Sequence, residues 1–357
     1  MTNVETKFKI LSIDGGGIRG IFPAMFLANF ETELKAKGAE KWQVYQNFDL
    51  ICGTSTGGIM AIALALGIPA KEIYDLYLNN ANTIFGTKKG FLKRFKYSAH
   101  DRSQLEKLIR DKYKEYHNGQ DSEDPLLKHC KTHVAIPIYD LMEGRPSVLK
   151  SKYHDAFVRD YHIPAYQAAL ATSAAPTYFD PYSAEYTDLN GLKKTFKNKV
   201  DGGVFANNPT LNGIIEAKKA FSLDLSDLSV LSIGTGHQRF CDAGLDKKKQ
   251  HRIKYGIYYW MLEDGKKRLI DLFMQGQSQQ VQNLISILKN GIDRREVDNF
   301  NYIRIDTELD ETCGIEMDET DVGKLGKLAE KASIEFQNNA TQVINFFGNG
   351  NKYLNSV

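Results

Sequence analysis

Apolar positions recur along this chain in two alternating periods. Phe8-Lys-Ile-Leu-Ser-Ile13 reads as a strand, and from Ile21 to Leu34 the apolar residues fall at helical spacing. The pair then repeats, with a short buried strand predicted over Leu50 to Cys52 and an apolar helix over Gly58 to Leu66. Further strands are expected over Val134 to Ile138, in the segment that ends at Val200, and over Leu228 to Ile233, the last led in by a helix from Asn208 to Phe221. Beyond about residue 236 the pattern turns mainly helical, with one more strand expected over Phe300 to Ile305. Such alternation predicts an α/β sandwich around a parallel-rich sheet. No internal repeat or low-complexity linker interrupts it. Residues 1–240 are therefore expected to form an α/β core, and residues 241–357 a mainly helical part of the same domain.

The turns between these elements carry the chemistry. Gly53-Thr-Ser-Thr-Gly57 places Ser55 in a G-x-S-x-G frame between the second strand and its helix. Gly53 and Gly57 leave room for a sharp turn. The helix's first unpaired N–H groups, at the positive end of its dipole, favour charge developing on the serine oxygen or on an attacked carbonyl. The first strand runs into Asp14-Gly-Gly-Gly-Ile-Arg-Gly20. Three consecutive glycines can turn their amides toward one point and donate to an oxyanion, with Arg19 adding a fixed positive charge nearby. Gly15, Gly17 and Gly20 also satisfy the dinucleotide fingerprint G-x-G-x-x-G. That reading lacks its acidic partner, because the second strand ends in Cys52 and Gly53 and delivers Ser55 where a ribose-binding carboxylate belongs.

A nucleophilic serine needs a base, and the usual one is histidine. Among the histidines, His237 alone follows a strand through turn glycines, in Ser232-Ile-Gly-Thr-Gly236. Asp201 is the better candidate, since Gly202 and Gly203 permit a tight turn after the strand that ends at Val200. A carboxylate is a weak base at neutral pH, but it serves when held within reach of Oγ and partly desolvated.

The order Asp14-Gly-Gly-Gly-x-Arg-Gly20, Gly53-Thr-Ser-Thr-Gly57 and Asp201-Gly-Gly203 resembles the patatin family of serine lipid acyl hydrolases. Ala171-Thr-Ser-Ala-Ala-Pro-Thr-Tyr-Phe179, Ala206-Asn-Asn-Pro209 and Ser232-Ile-Gly-Thr-Gly236 are similar to segments flanking that family's active site, so the resemblance covers about residues 8–240. It implies a patatin-like three-layer α/β/α sandwich and a Ser55–Asp201 dyad with no catalytic histidine. It also implies an oxyanion hole from the amides of Gly15, Gly16 and Gly17, supported by Arg19, with neither metal nor cofactor. The implied substrates are membrane phospholipids or galactolipids, cut to fatty acids and lyso-lipids. Some bacterial members are anti-phage effectors, which implies a cyclic nucleotide as activator, peripheral contact with the membrane and no nucleic-acid polymer as partner. A homodimer is compatible with this reading. A function of another class, lipid or nucleotide binding or storage on the same fold, is disfavoured by the intact Ser55 and Asp201.

Composition narrows the setting. A net charge of +2 over 357 residues makes no whole-molecule case for nucleic acid, and 42% hydrophobic with 25% charged residues argues against disorder or a membrane-embedded body. Met-Thr-Asn-Val-Glu-Thr-Lys-Phe-Lys has no apolar signal region, and the run Ile59 to Ile68 is too short to span a bilayer. The protein is thus expected to be cytoplasmic, meeting lipid at the inner membrane surface. Cys52, Cys130, Cys241 and Cys313 form no C-x-x-C pair, which favours reduced thiols. His129, Cys130 and His133 have ligand-like spacing but no further ligands nearby, and are expected to pack beside the strand over Val134 to Ile138. The acidic run from Asp306 to Asp321 misses calcium-loop spacing and reads as a solvated surface, as does the basic run Lys247 to Lys254. Lys88-Lys-Gly-Phe-Leu-Lys-Arg-Phe-Lys96 suits equally a membrane-binding lid and an exposed loop whose aromatics pack on the body. Tyr255 to Leu262 reads as an amphipathic helix packed on the core.

Overall fold

The strongest apolar runs become the middle of one sheet. A computed structural model describes residues 7–85, 98–117, 122–237, 254–261, 268–290, 300–309 and 315–351. In chain order the elements are β1 (Phe8–Ile13), α1 (Ile21–Ala36), β2 (Leu50–Gly53), α2 (Thr56–Leu66), α3 (Ala70–Phe85), α4 (Ser103–Glu115), β3 (His133–Asp140) and β4 (Arg145–Lys150). They continue as α5 (Ala165–Thr172), β5 (Tyr182–Thr187), β6 (Lys193–Asp201), α6 (Gly203–Ala206), α7 (Thr210–Ala220), β7 (Leu228–Ile233), α8 (Ile257–Met261), α9 (Arg268–Asn290), β8 (Asn301–Ile305) and α10 (Val322–Phe347). The sheet order is β5-β6-β3-β2-β1-β7-β8, with β4 also on β3. From β3 to β8 the strands are parallel, while β4, β5 and β6 run antiparallel to their neighbours.

Helices cover both faces. Successive residues of β1 point to opposite sides: Leu11 and Ile13 join a core with α1, α2, α5 and α10, whereas Phe8 and Ile10 pack with Ile214 and Ala217 of α7 and Ile285 of α9. This is the expected three-layer α/β/α sandwich. α2 is buried along its whole length, as a helix apolar on all sides must be. α10 closes the outside of α1, with Phe336 edge-on to Phe26 at 5.3 Å. β8, from the C-terminal part, extends the sheet beside β7 where the sequence predicts a strand.

Two strand ends meet head-on, and this positions the site. β4 pairs with residues 135–140 of β3 along one edge. On the other edge β2 pairs with residues 133–135, and β6, running the opposite way, pairs with residues 138–140. β2 therefore stops where β6 stops. Ser55 follows the end of one, and Asp201, opposite Ile138, closes the other.

The segment Lys88 to Lys96, Lys247 to Arg252 of the basic run, Cys241 and Cys313 lie outside the described residues. In α8 the packing expectation holds for Tyr259, buried against the rings of Tyr255 and Trp260 at 5.0 and 5.1 Å, while Ile257 and Tyr258 are exposed. Among the described residues no helix is long and apolar enough to cross a membrane.

Candidate active site

Ser55 caps α2 with φ 56° and ψ −125°. Such a backbone costs a residue with a Cβ on the order of 1–3 kcal/mol and persists only where its surroundings enforce it. They do so here. The Ser55 N–H donates to Thr172 Oγ1 at 3.1 Å, and that hydroxyl donates to the Pro137 carbonyl at 2.6 Å. Next to it, Thr54 Oγ1 donates to the Ala206 carbonyl at 2.6 Å. A Cβ on Gly57 would strike the Ile13 carbonyl oxygen and lie 2.7 Å from that of Asp14, so glycine lets the first turn of α2 press against the root of the glycine loop.

Asp201 is buried beside Ser55. Its N–H donates to the Ala174 carbonyl at 3.1 Å, and its Oδ1 accepts the Gly203 N–H at 2.6 Å. Burial pushes its carboxyl up to about 7, against the opposing pull of the Ser55 hydroxyl and the Gly203 amide. The segment that the sequence singles out at 171–179 thus holds both groups, Thr172 on the serine side and Ala174 on the carboxylate side.

The glycine loop lies across from them and narrows one expectation. Gly15 is not free to serve an oxyanion, because its N–H donates to the Asn207 carbonyl at 3.0 Å. Ile18 N–H is likewise taken by the Met317 carbonyl at 2.9 Å. Gly16 and Gly17 remain, with no N–H bond among the described residues, and both line the cavity in front of Ser55 and Asp201. Gly17 needs its φ of +59°, and its carbonyl accepts Thr56 Oγ1 at 2.8 Å. Arg19 stays close to this loop, with Nε 3.4 Å from the Gly16 carbonyl.

The cavity measures about 200 Å³. Its wall is apolar, lined by Ile59, Phe85 and Leu105 and by Ile270, Phe273 and Met274 of α9. Phe273 and Val204 line it and are also 67% and 51% exposed, so they form its rim. An acyl chain fits such a space, with its carbonyl at the serine.

His237 does not reach this cavity. It lines a neighbouring polar one, where its Nδ1 lies 3.4 Å from Asp306 Oδ2, and that carboxylate raises its proton affinity. His129 Nδ1 instead accepts the Leu126 N–H at 2.9 Å, and His133 is buried between Tyr153 and Phe221, which pushes its imidazole down to about 4. Among the described residues no three His, Cys, Asp or Glu side chains are grouped to hold a metal ion.

The acidic run is not simply a solvated surface. Asp306 is partly buried and accepts from Arg304 at 2.9 Å, while Ile315 and Met317 pack into the core. Arg304 also grips Asp14, the residue that leads into the glycine loop, through two bonds of 2.9 and 2.7 Å. Burial alone would raise the Asp306 carboxyl, but Arg304 and His237 outweigh it and bring it to about 2. Replacing Arg304 with Met leaves the buried Asp14 carboxylate unpaired at the loop's root and Asp306 with His237 alone. The expected cost is about 3–5 kcal/mol, read as a lower urea midpoint; an unshifted midpoint would show that the pairing is not needed. Nothing in the sequence marks Arg304, because its partners stand at the end of β1 and just after β8.

An α/β/α sandwich that presents a strained serine under an apolar cavity has the build of an α/β serine hydrolase. The family model for patatin-like phospholipases matches residues 11–213. Patatin-like protein 2 of Arabidopsis thaliana is 33% identical over 327 residues, covering 83% of this chain and 74% of that protein. The cGAMP-activated phospholipase of Vibrio cholerae serotype O1 is 34% identical over 248 residues, and the match spans 65% of each. VipD from Legionella pneumophila aligns with 92% of this chain and 67% of its own at a TM-score of 0.37 and 11% identity. The chain belongs to the patatin-like phospholipase family, a family of lipid acyl hydrolases.

Proposed function

We propose that this protein is a phospholipase of the A type, with Ser55 as nucleophile and Asp201 as base. The observation that carries the reading is a buried carboxyl, raised to about 7, against the Ser55 hydroxyl at the base of an apolar cavity. Asp201 takes the serine proton as Oγ attacks the acyl carbonyl, and the Gly16 and Gly17 amides hold the oxyanion. Asp201 returns the proton to the departing alcohol, a lyso-lipid. Water then frees the fatty acid from the acyl-serine, with Asp201 again accepting a proton. The chemistry calls for no metal or cofactor.

The reading extends to regulation by a cyclic nucleotide, supported by the Vibrio cholerae and Escherichia coli relatives, which are cGAMP-activated phospholipases, and to a place at the cytoplasmic face of the inner membrane, where a phospholipid substrate would be met. A homodimer is compatible with the reading. The deciding experiment incubates the protein with phosphatidylethanolamine vesicles, with and without cGAMP, and follows fatty acid and lyso-lipid by mass spectrometry. Both products are expected in equal amounts, with faster release when cGAMP is present. No fatty acid under either condition would overturn the phospholipase reading, and equal rates would overturn the activation.

A further inference from the structure

The Gly16 and Gly17 amides can meet an oxyanion only if their peptide planes are turned toward it. In a trans peptide the C=O and the N–H that follows point in opposite directions, and no peptide among the described residues is cis. Whatever holds a carbonyl of the glycine loop therefore aims the amide behind it. The Gly16 carbonyl accepts the backbone N–H of Arg19 at 3.2 Å, within the loop itself, and this turns the Gly17 amide. The Gly15 carbonyl has its partner elsewhere in the chain. Thr235 Oγ1 donates to it at 3.1 Å.

Thr235 follows β7 in Ser232-Ile-Gly-Thr-Gly236, a segment in which the dyad uses no residue. Its side chain is buried, and its neighbours are tied to the strand end beside them. The Gly234 N–H donates to the Ile305 carbonyl at 2.8 Å and the Gly236 N–H to Asp306 Oδ1 at 3.1 Å, so the residue between them is pinned from both sides. Thr235 also closes on Gly16. A Cβ at that position would strike Thr235 Oγ1 and lie 2.7 Å from its Cβ, so the glycine lets the hydroxyl reach the carbonyl of the residue before it. Gly16 lines the cavity in front of Ser55 and Asp201, and Thr235 holds the other side of the same peptide.

We propose that Thr235 is a positioning residue for the oxyanion hole: by holding the Gly15 carbonyl behind the loop, its hydroxyl fixes the direction of the Gly16 N–H in front of Ser55. This role rests on Ser55 being the nucleophile, as proposed above. Thr235 acts only through the rigid peptide. Without its hydroxyl the buried Gly15 carbonyl loses its donor, the peptide can tip, and one of the two oxyanion donors is misaimed when charge develops on the acyl oxygen. The acyl cavity and Asp201 are left as they were.

The test compares Thr235→Val, which keeps the branched shape and removes the hydroxyl, with Thr235→Ser, which keeps the hydroxyl. In the valine variant kcat for fatty-acid release from phosphatidylethanolamine vesicles should fall about 10- to 100-fold with KM within about twofold of wild type, whereas the serine variant should stay within about threefold in both. The pH midpoint of kcat/KM should be the same in all three proteins, because the base is untouched. Each protein is also treated with a long-chain alkyl fluorophosphonate and followed by intact mass. Ser55 Oγ displaces fluoride at phosphorus, Asp201 takes the proton, and the phosphonyl oxygen occupies the place of the oxyanion. This rate needs no phospholipid and should fall by a similar factor in the valine variant. A wild type that is labelled but silent on phospholipid would overturn the substrate class alone, with the role of Thr235 still decided by the labelling rates. Thr235→Ala serves if the valine variant does not fold. Labelling of a folded hydroxyl-free variant at the wild-type rate, a serine variant as slow as the valine one, or a wild type inert to both reagents would overturn the proposal.

Discussion

Ser55→Ala is expected to abolish fatty-acid release, lowering turnover by roughly 10⁴-fold or more, while the fold stays intact. The side chain lost is one hydroxyl. The strained turn is held by groups the substitution leaves alone: the backbone N–H on Thr172 at 3.1 Å, the Thr54 hydroxyl on Ala206 at 2.6 Å and the close approach of Gly57 to the ends of β1. Alanine keeps the Cβ, so neither the φ of 56° nor its cost changes. Glycine at the same position adopts that φ freely, and Ser55→Gly should therefore be equally inactive yet about 1 kcal/mol more stable. Fatty-acid release from phosphatidylethanolamine vesicles and the thermal midpoint are the two readouts. Turnover within tenfold of wild type in either variant would remove Ser55 as nucleophile.

Much of this site is written in short local signals. Gly53-Thr-Ser-Thr-Gly57 predicts its own geometry because a strand, a tight turn and a helix follow one another without a gap, and the run over Leu50 to Leu66 is apolar enough to be buried in any arrangement. β1, β7 and β8 are legible for the same reason. Other parts depend on partners far away in the chain. The route by which Asp201 arrives is one of these, since nothing local tells that β6 runs antiparallel and stops opposite Ile138. The engagement of the Gly15 amide is another, set by Asn207 about two hundred residues on. Asp306 looks like surface because it opens an acidic run, and only Arg304 and the end of β1 make it part of the interior. The sequence predicts α9 only as part of a helical region. Its glutamines blur the apolar stripe, yet that helix supplies one wall of each cavity.

The same separation bears on the proposed activation. The supports of Ser55 come from the sandwich itself, from α5, β3, the segment after β6 and the end of β1. The glycine loop is held differently: Asn207 holds Gly15 and Met317 holds Ile18, and Asn207 is in turn bonded to α9. A shift of α9 would therefore reach the glycine loop through Asn207. Under the proposed activation, such a link would let α9 adjust the loop while the turn at Ser55 stays in place.

Asp201→Asn should lower kcat by about 10³ to 10⁴-fold and at the same time stabilise the protein above neutral pH. The rate falls because an amide cannot accept the serine proton, and the stability rises because burial holds the carboxyl at about 7 when its ordinary value is near 3.8. In the unfolded chain the group ionises near pH 4, while in the folded protein it keeps its proton to about 7. Its contribution to stability is therefore full below pH 4, declines between the two values and is lost above pH 7. Asparagine cannot ionise and its Oδ1 can still accept the Gly203 N–H, so the variant's advantage should grow across that window to roughly 2–4 kcal/mol at pH 8. Wild-type kcat/KM should rise with pH along the same window, because only the ionised carboxyl accepts the serine proton, with a midpoint near 7 and about a tenfold fall per unit below it. Stability and activity would then move in opposite directions with one titration. An acid limb centred near pH 4, or an asparagine variant that keeps its rate, would show that Asp201 is not the base.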